Sequence, residues 1–505
     1  MNILQAKEEV KRTLEIYLEK DAYGEFRIPY MKQRPVFLMG APGIGKTAIV
    51  EQVAEEMDLN LVVYSMTHHT RQSAIGLPLL TSETFDGVER KITEYTMSEI
   101  IASIYHTMEN TGRRQGILFL DEINCVSETL SPAILQFLQY KSFGNRRLPG
   151  GWVIITAGNP VEYNRSVREF DIATRDRLKY IFIEDDYQAW KSYAYDRGIH
   201  SSILSFLELN QGSFYSVSVT PDGSQYATAR GWEDLSYAVR QYEEKGFPVN
   251  LSLIQQYITD NDISRKYAVY YELYEKYKKA YQTEKILSGV RSKGTVQRAK
   301  DAGFDERIAV TEMLYEALSS GFENALRQQS VLEKGAEVIR KIKPMLTDGQ
   351  ADCNEASELL AQSIKDMRGE WMKKDESKSL SAEEKKICLG CENMLFGFLE
   401  IMKGAQTTKK GFSEIKKRFD TLARKQTGEM QRNGERLEQA FAFIEEVWVT
   451  GREMMYFMTI LTTGKQSSAF IALHGSKGYA RHNGQMLIYD AKEELKNQIK
   501  GENTF

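Results

Sequence analysis

The chain has 505 residues, which is more than one hydrophobic core usually accommodates, so several domains are expected. Its formal net charge of -4 excludes a strong global attraction to nucleic acid or anionic membranes. No stretch approaches the roughly 18 consecutive apolar residues of a membrane helix, so no membrane insertion is expected. Only four cysteines in so long a chain favour a reducing, cytoplasmic location.

The first part of the chain predicts a helix followed by a parallel sheet. Residues 1–20 mix charged residues with spaced apolar ones, as in an amphipathic helix. From about residue 35 to 185, short apolar runs alternate with helical patterns, which is typical of a sheet with crossover helices. These runs are almost wholly apolar, as in strands covered on both faces. They are Val36–Met39, Leu61–Tyr64, Ile117–Leu120, Val153–Thr156 and Tyr180–Ile183.

A glycine-rich loop follows the first run and matches the pattern G-x-x-x-x-G-K-[ST]. Glycines let successive backbone N–H groups point at one anion, and the helix that follows adds its dipole. Lys46 is predicted to reach the β- and γ-phosphates, and Thr47 to offer its hydroxyl to Mg²⁺. The alternative is a glycine-rich turn without nucleotide. The predicted nucleotide-binding residues here are Gly40, Ala41, Pro42, Gly43, Ile44, Gly45, Lys46, Thr47 and Ala48.

Two adjacent carboxylates, Asp121 and Glu122, follow the third apolar run. They would lie at the carboxyl edge of the sheet, where α/β proteins bind ligands. Asp121 is predicted to hold Mg²⁺ through water, and Glu122 to polarise the attacking water. An acidic pair after an apolar run is also common in ordinary turns.

The segment after the fourth run makes a family resemblance specific. It reads Ala157-Gly158-Asn159-Pro160 and continues to residues 170–177, FDIATRDR. Over roughly residues 30–240 the chain resembles the AAA+ ATPases of the MoxR group. The resemblance implies that Asn159 is sensor 1, which positions the attacking water with an amide that both donates and accepts. The preference for ATP over GTP also rests on this resemblance alone.

The same resemblance implies two further arginine roles. Arg177, or as second choice Arg175, maps onto the arginine finger that a neighbouring subunit supplies to the transferring phosphoryl group. Either arginine would otherwise be a surface ion-pair residue. Arg230, in a segment that has Ala229 where relatives often have proline, resembles sensor 2 of the lid. The alternative for Arg230 is stacking on Trp232.

Two predicted insertions also fit the group. Residues 75–95 resemble the insertion within helix 2, and residues 142–149 lie where a β-hairpin precedes sensor 1. In such rings both insertions face the central pore or a bound partner. Arg146 and Arg147 would then grip an acidic polypeptide or nucleic acid, and the equally weighted alternative is a solvated hairpin tip.

The expected architecture is α/β: a P-loop AAA+ core with a parallel sheet at residues 1–186, a helical lid at 187–288 and an all-α extension at 289–505. The lid region has one turn-rich interruption at residues 220–223. The extension contains Cys388 and Cys391 as a lone C-x-x-C, and without further ligands at suitable spacing they are interpreted as ordinary cysteines. The extension is interpreted as a partner-docking or oligomer-stabilising module.

Three functional hypotheses follow. The leading one is a cytoplasmic MoxR-like ATPase, a homo-hexamer that uses ATP and Mg²⁺ to remodel a protein partner; the resemblance implies a partner with a von Willebrand A domain. The second is a nucleic-acid motor or restriction-type NTPase, which the acidic charge balance disfavours. The third is a scaffold that binds ATP but barely hydrolyses it. The presence of Lys46, Asp121, Glu122 and Asn159 argues against the third.

Overall fold

The computed structural model describes residues 1–68, 76–143, 146–163, 167, 169–220, 223–347, 352–376, 380–448 and 451–484. The chain divides into two compact units. The first comprises Met1–Trp190 with Gly369–Ser381, and the second Lys191–Arg368 with Ala382–Phe505.

The first unit is built around a five-stranded sheet in the order β2-β5-β8-β1-β9, and every pairing in it is parallel. Its strands are β1 (Val36–Gly40), β2 (Asn60–Ser65), β3 (Pro78–Phe85), β4 (Val88–Tyr95), β5 (Gly116–Asp121), β6 (Ser142–Phe143), β7 (Arg146–Arg147), β8 (Trp152–Gly158) and β9 (Lys179–Ile183). Its helices are α1 (Ile3–Leu18), α2 (Lys46–Glu56), α3 (Glu99–Thr111), α4 (Ser131–Tyr140) and α5 (Ile172–Arg175), and the division between the units falls within α6 (Tyr187–Asp196).

The apolar runs of the sequence form this sheet, so the predicted α/β core is confirmed. Every residue of β8 is buried, as expected for a central strand covered on both faces. The predicted amphipathic helix is α1, whose N-cap residue Asn2 accepts a hydrogen bond from the Gln5 backbone in a capping box. The order of strands brings the carboxyl ends of β5, β8 and β1 side by side, and this edge carries the candidate site.

Both predicted insertions are hairpins. β3 and β4 pair antiparallel from Pro78 opposite Tyr95 to Phe85 opposite Val88, and most of their side chains are exposed. β6 and β7 form the short hairpin before β8, with Phe143 opposite Arg146. Ile75 and the hairpin tip at residues 144–145 lie outside the described residues.

The second unit is helical apart from one hairpin. The hairpin consists of β10 (Ser216–Thr220) and β11 (Gly223–Ala227). The helices are α7 (Ser201–Leu209), α8 (Ala229–Lys245), α9 (Leu251–Ile254), α10 (Asn261–Tyr281), α11 (Thr283–Leu287), α12 (Lys293–Asp301), α13 (Phe304–Thr347), α14 (Cys353–Glu376), α15 (Ala382–Lys403), α16 (Thr408–Val447), α17 (Arg452–Thr463) and α18 (Lys465–His474). None of the helices within the described residues is long and apolar enough to cross a membrane.

The β10–β11 hairpin lies within the segment at 187–288, for which the sequence predicted helices with one turn-rich interruption and no strands. Residues 216–219 read Ser-Val-Ser-Val, a period-two alternation with β-branched residues that favours a strand. The turn-rich segment at 220–223 is the connection of this hairpin, although Pro221 and Asp222 themselves lie outside the described residues. The alternation is only four residues long, so the helical pattern around it obscured the strand.

The predicted lid and the predicted extension fall within one compact unit. The long helix α13 packs against α7, and the rings of Tyr195 and Tyr315 meet edge-on with centroids 5.0 Å apart. The separate boundaries at 187–288 and 289–505 therefore stay a prediction.

Candidate nucleotide site

The glycine-rich loop joins the end of β1 to the start of α2. Gly43 and Gly45 have φ values of 75° and 99°, a left-handed region that side chains other than glycine rarely occupy. A Cβ on Gly40 would lie 2.7 Å from the carbonyl oxygen of Ile183, so the loop also needs glycine where it leaves the sheet. The loop therefore curls tightly at the N-terminus of α2, where anions bind favourably.

Lys46 connects this loop to the end of β8. Its Nζ donates hydrogen bonds to the carbonyl oxygens of Gly40 at 2.8 Å and Ala41 at 2.9 Å, and to Oδ1 of Asn159 at 2.9 Å. The side chain is buried, so its charge lies in a region of low dielectric where electrostatic interactions are strong. The predicted phosphate-binding lysine and the predicted sensor amide are thus in direct contact.

Thr47 and Asp121 lie together at the predicted magnesium position. The Thr47 hydroxyl donates to Oδ2 of Asp121 at 3.0 Å, and Oδ1 of Asp121 accepts from the backbone N–H of Glu122 at 2.9 Å. A hydroxyl and a carboxylate are hard oxygen ligands, which suit Mg²⁺. The residues present fit the predicted metal site.

Glu122 has an unusual backbone conformation and a fixed side chain. Its φ of 55° is left-handed, a strained conformation for a non-glycine residue that costs on the order of 1 kcal/mol and is typical of functional sites. Oε2 accepts hydrogen bonds from the Thr67 hydroxyl at 2.9 Å and the Ser65 hydroxyl at 3.4 Å. The carboxylate is therefore directed towards the end of β2, beside Asp121.

Asn124 is a site residue that the sequence did not identify. It is buried, and its side-chain amide donates to the Asn159 backbone oxygen at 2.8 Å while its Oδ1 accepts from the Asn159 N–H at 3.3 Å. A Cβ on Gly158 would lie 2.5 Å from this Oδ1, so glycine is needed there. The only signal in the sequence is its position: Asn124 is a polar residue that follows the acidic pair after one apolar residue, Ile123.

The nearby thiol of Cys125 is not a nucleophile in this arrangement. Burial raises its pKa, and the negative charges of Glu122 and Asp121 raise it further. The thiol therefore stays protonated at neutral pH, and protonated thiols are poor nucleophiles.

The two candidate finger arginines differ in their surroundings. α5 begins after Asp171, whose carboxylate accepts from the Thr174 N–H at 2.7 Å and caps the helix. The Arg175 guanidinium lies over the Tyr180 ring, 4.9 Å from its centroid, and borders a cavity of about 320 Å³ that Asn159 also lines. Both arginines are exposed, and the charge of Arg177 contributes, after the hydrogen bonds with Thr174, to lowering the Asp171 pKa.

Arg230 lies in the second unit and is exposed in the first turn of α8. Thr228 caps this helix, because its hydroxyl oxygen accepts a hydrogen bond from the Gly231 N–H at 3.1 Å. Trp232 is fully buried, and its ring packs against Phe206 and Tyr267. The sensor 2 role of Arg230 stays a prediction, as do the roles of the exposed hairpin residues Arg146 and Arg147.

The loop, the acidic pair and the amide lie together at one edge of a parallel sheet. A comparison with known protein families agrees with this arrangement. Residues 35–178 match the AAA domain of the dynein-related subfamily. These residues form an AAA+ ATPase domain. The activity that the AAA+ domain supports is ATP hydrolysis, as predicted.

The chain was also compared with solved structures and with curated proteins. Among solved structures, a point mutant of RuvB from Thermotoga maritima matches with 15% identity and a TM-score of 0.29 over 50% of this chain and 69% of that chain. No curated protein matches the chain in sequence.

Proposed function

We propose that this chain is a MoxR-like AAA+ ATPase that assembles into a homo-hexameric ring and uses ATP hydrolysis to remodel or mature a protein partner. The observation that carries the proposal is the contact between Lys46 and Asn159, with Nζ and Oδ1 2.9 Å apart. It places an amide at the end of the neighbouring strand beside a phosphate-binding lysine, which supports the proposed role of Asn159 as a γ-phosphate sensor.

In the proposed reaction the γ-phosphorus–oxygen bond to the β-phosphate breaks while a water oxygen bonds to the γ-phosphorus. Lys46 and the backbone N–H groups of the loop bind the phosphates, and Glu122 accepts a hydrogen bond from the attacking water. Asn159 orients that water against the γ-phosphate. Thr47 and Asp121 would hold Mg²⁺, which when bound neutralises charge on the β- and γ-phosphates.

The ring is supported by the contrast between the two arginines. Both side chains are exposed, but the Arg175 guanidinium already lies over the Tyr180 ring of its own chain. A guanidinium that reaches into a neighbour's site must leave its own surface, so Arg177 suits the finger better. AAA+ domains generally work as oligomers, and this arginine would make assembly part of the active site.

A protein partner is supported by the β3–β4 hairpin. Leu79 and Leu80 are 55% and 73% exposed on β3, which gives the insertion apolar side chains suited to a protein surface. A partner with a von Willebrand A domain is proposed on the family resemblance alone. The low cysteine content, four in 505 residues, supports a reducing, cytoplasmic location.

A nucleic-acid motor is the second candidate, and one observation favours it. Arg146 and Arg147 are both exposed on β7, next to the short hairpin tip, where they could contact phosphates. The acidic balance of the whole chain opposes this alternative.

The test measures the steady-state ATPase rate of purified protein across a range of concentrations. We expect the specific activity to fall as dilution produces monomers, and to rise with a von Willebrand A domain protein rather than with DNA or RNA. Glu122→Gln should bind ATP and lose at least about 100-fold in kcat, while Glu51→Gln, an exposed α2 control, should not. Full turnover by Glu122→Gln would contradict the catalytic assignment, and stimulation by nucleic acid alone would favour the second candidate.

A further inference from the structure

A cavity of about 250 Å³ lies within the second unit, where α7, α8 and α13 meet the residues after α6. Its inner walls include the buried residues Ile199, Leu204 and Glu312, whereas Arg197 and Ser320 lie exposed at its rim. The cavity thus has a buried floor and a solvent-exposed mouth. It is remote in sequence from the loop that binds nucleotide, so the inference does not rest on the proposed function.

The floor contains a carboxylate with one unsatisfied oxygen. Oε1 of Glu312 accepts from the Tyr195 hydroxyl at 2.6 Å and also from the Tyr456 hydroxyl. Oε2 has no hydrogen-bond partner, although the side chain is 0% exposed. Both oxygens of a buried carboxylate normally accept hydrogen bonds. We therefore expect a ligand in the cavity to donate a hydrogen bond to Oε2.

The cations near this carboxylate are committed to other groups. The Arg240 guanidinium donates to Oε1 of Glu316 at 2.5 Å and to the carbonyl oxygen of Gly198 at 2.7 Å. The Lys191 ammonium donates to Oε2 of Glu208 at 2.6 Å. Within the described part of the chain, no Lys, Arg or His nitrogen forms an ion pair with Glu312. The cavity therefore favours a positively charged occupant.

The volume and the lining of the cavity indicate which class of cation fits it. Its volume is several times the roughly 30 Å³ of one water, which is far more than a bare metal ion needs. Ile199 and Leu204 offer apolar walls beside the carboxylate, which suit a short carbon chain. We propose that this cavity binds a primary alkylammonium group, with the nitrogen at Glu312 and the carbon chain along the apolar wall. A small free amine and the lysine side chain of a partner share this chemistry.

Binding of a cation here should be coupled to loss of a proton. Burial raises the pKa of Glu312 to about 7, and the charge of Lys191 offsets this only in part. A bound ammonium favours the charged carboxylate, so affinity should fall as pH drops below 7. The titratable groups that face Glu312 are Lys191 and Tyr195 from α6, Glu208 from α7, Tyr270 from α10, Tyr315 from α13 and Tyr456 from α17.

The test is calorimetric titration of the full chain with propylammonium, with 1,4-diaminobutane and with a lysine-containing peptide, against propanol and potassium chloride as controls. We expect saturable binding of at least one amine, about tenfold weaker at pH 6 than at pH 8 because protonated Glu312 must ionise. Glu312→Gln, which keeps the side-chain shape, should weaken binding at least tenfold. Glu272→Gln is the matched control, because Glu272 is exposed on α10 and is not among the residues that line the cavity.

The outcomes distinguish a free amine from a lysine side chain as the ligand, and they show which results contradict the proposal. Binding of the free amines alone identifies a small-amine site, and binding of the peptide identifies a lysine-docking site. No saturable binding of any amine, or equal binding of potassium, would overturn the proposal. If Glu312→Gln does not fold, the pH dependence of amine binding to the unmodified chain decides, since a pH-independent affinity contradicts the role of Glu312.

Discussion

Nζ of Lys46 and Oδ1 of Asn159 are 2.9 Å apart, although 113 positions separate the two residues in sequence. The contact exists because β1 and β8 are parallel neighbours, with Met39 opposite Gly158, so that their carboxyl ends meet. The same edge holds Asp121 at the end of β5. One polar cluster therefore links three strand ends that a nucleotide would contact together.

Replacing Asn159 should affect turnover more than binding. Asn159→Ala removes one acceptor from the Lys46 ammonium but leaves its bonds to Gly40 and Ala41 intact. A hydrogen bond to a charged group contributes about 1.5–3 kcal/mol, so kcat should fall by about 10- to 100-fold while ATP affinity changes less. Steady-state kinetics with separate nucleotide-binding measurements check this. A parallel loss in the control Asn354→Ala, an exposed residue of α14, would indicate a nonspecific effect.

Asn124 should act as a positioning residue through Asn159. Asn124→Ala leaves the N–H and carbonyl groups of Asn159 without the two side-chain bonds that hold them. We expect kcat to fall about tenfold with KM nearly unchanged, and stability to fall by about 1–3 kcal/mol.

Asn124→Asp is the informative companion, because it keeps the Oδ1 acceptor but loses the amide donor. Its kcat should lie between those of the unmodified chain and Asn124→Ala. Equal activity of all three proteins, measured at saturating ATP, would mean that Asn124 stabilises the fold without positioning Asn159.

The sequence predicted those site residues that lie in contiguous motifs or directly after apolar runs. The loop from Gly40 to Thr47 is contiguous, and the apolar runs define the strands that carry Asp121 and Asn159. Strand order, however, depends on pairing between distant segments, and Asn124 reaches Asn159 only after β5 and β8 have paired. No spacing in one sequence encodes that contact.

The contrast between local pattern and distant contacts also explains two other features that the sequence did not predict. The Glu122 carboxylate is held by hydrogen bonds from Ser65, at the end of β2, and Thr67, in the turn after it, and these residues are distant in sequence. The β10–β11 hairpin was missed because its alternating segment is short and lies between strongly helical patterns. Local periodicity thus predicted long elements and contiguous motifs, and tertiary contacts determined the rest.

Arg177 and Arg175 should be distinguishable by mixing experiments. Arg177→Ala should lower the ATPase rate at least about 100-fold, because the finger stabilises charge on the transferring phosphoryl group. Its activity should recover partly when it is mixed with Lys46→Ala subunits, which have an intact Arg177 but a defective loop. Arg175→Ala should reduce stability through loss of the Tyr180 contact, by about 0.5–1 kcal/mol.

Recovery of the Arg177→Ala activity requires that one subunit completes the site of another. If Arg177→Ala regains no activity when it is mixed with Lys46→Ala, although both variants still assemble, the residue that acts between subunits is a different one. Analytical ultracentrifugation of each mixture provides the assembly control.

The stability of the second unit should depend on pH through Glu312. Its pKa is raised to about 7 by burial, so the folded state holds a proton that the unfolded state releases at lower pH. This favours the folded state at acidic pH, and the contribution is lost as pH rises through 7. The full effect between pH 4 and pH 8 is at most about 3.5 kcal/mol, from about 1.4 kcal/mol for each of the roughly 2.5 pH units between the two pKa values.

Glu312→Gln should flatten this dependence, because the amide has no proton to lose. Thermal unfolding of both proteins from pH 5 to pH 8 measures it: the unmodified chain should lose Tm relative to the variant as pH rises towards 7, and the difference should level off above pH 7. The matched control Glu272→Gln should follow the unmodified chain, since Glu272 is exposed on α10. Parallel Tm curves for the unmodified chain and Glu312→Gln would show that Glu312 does not titrate in this range.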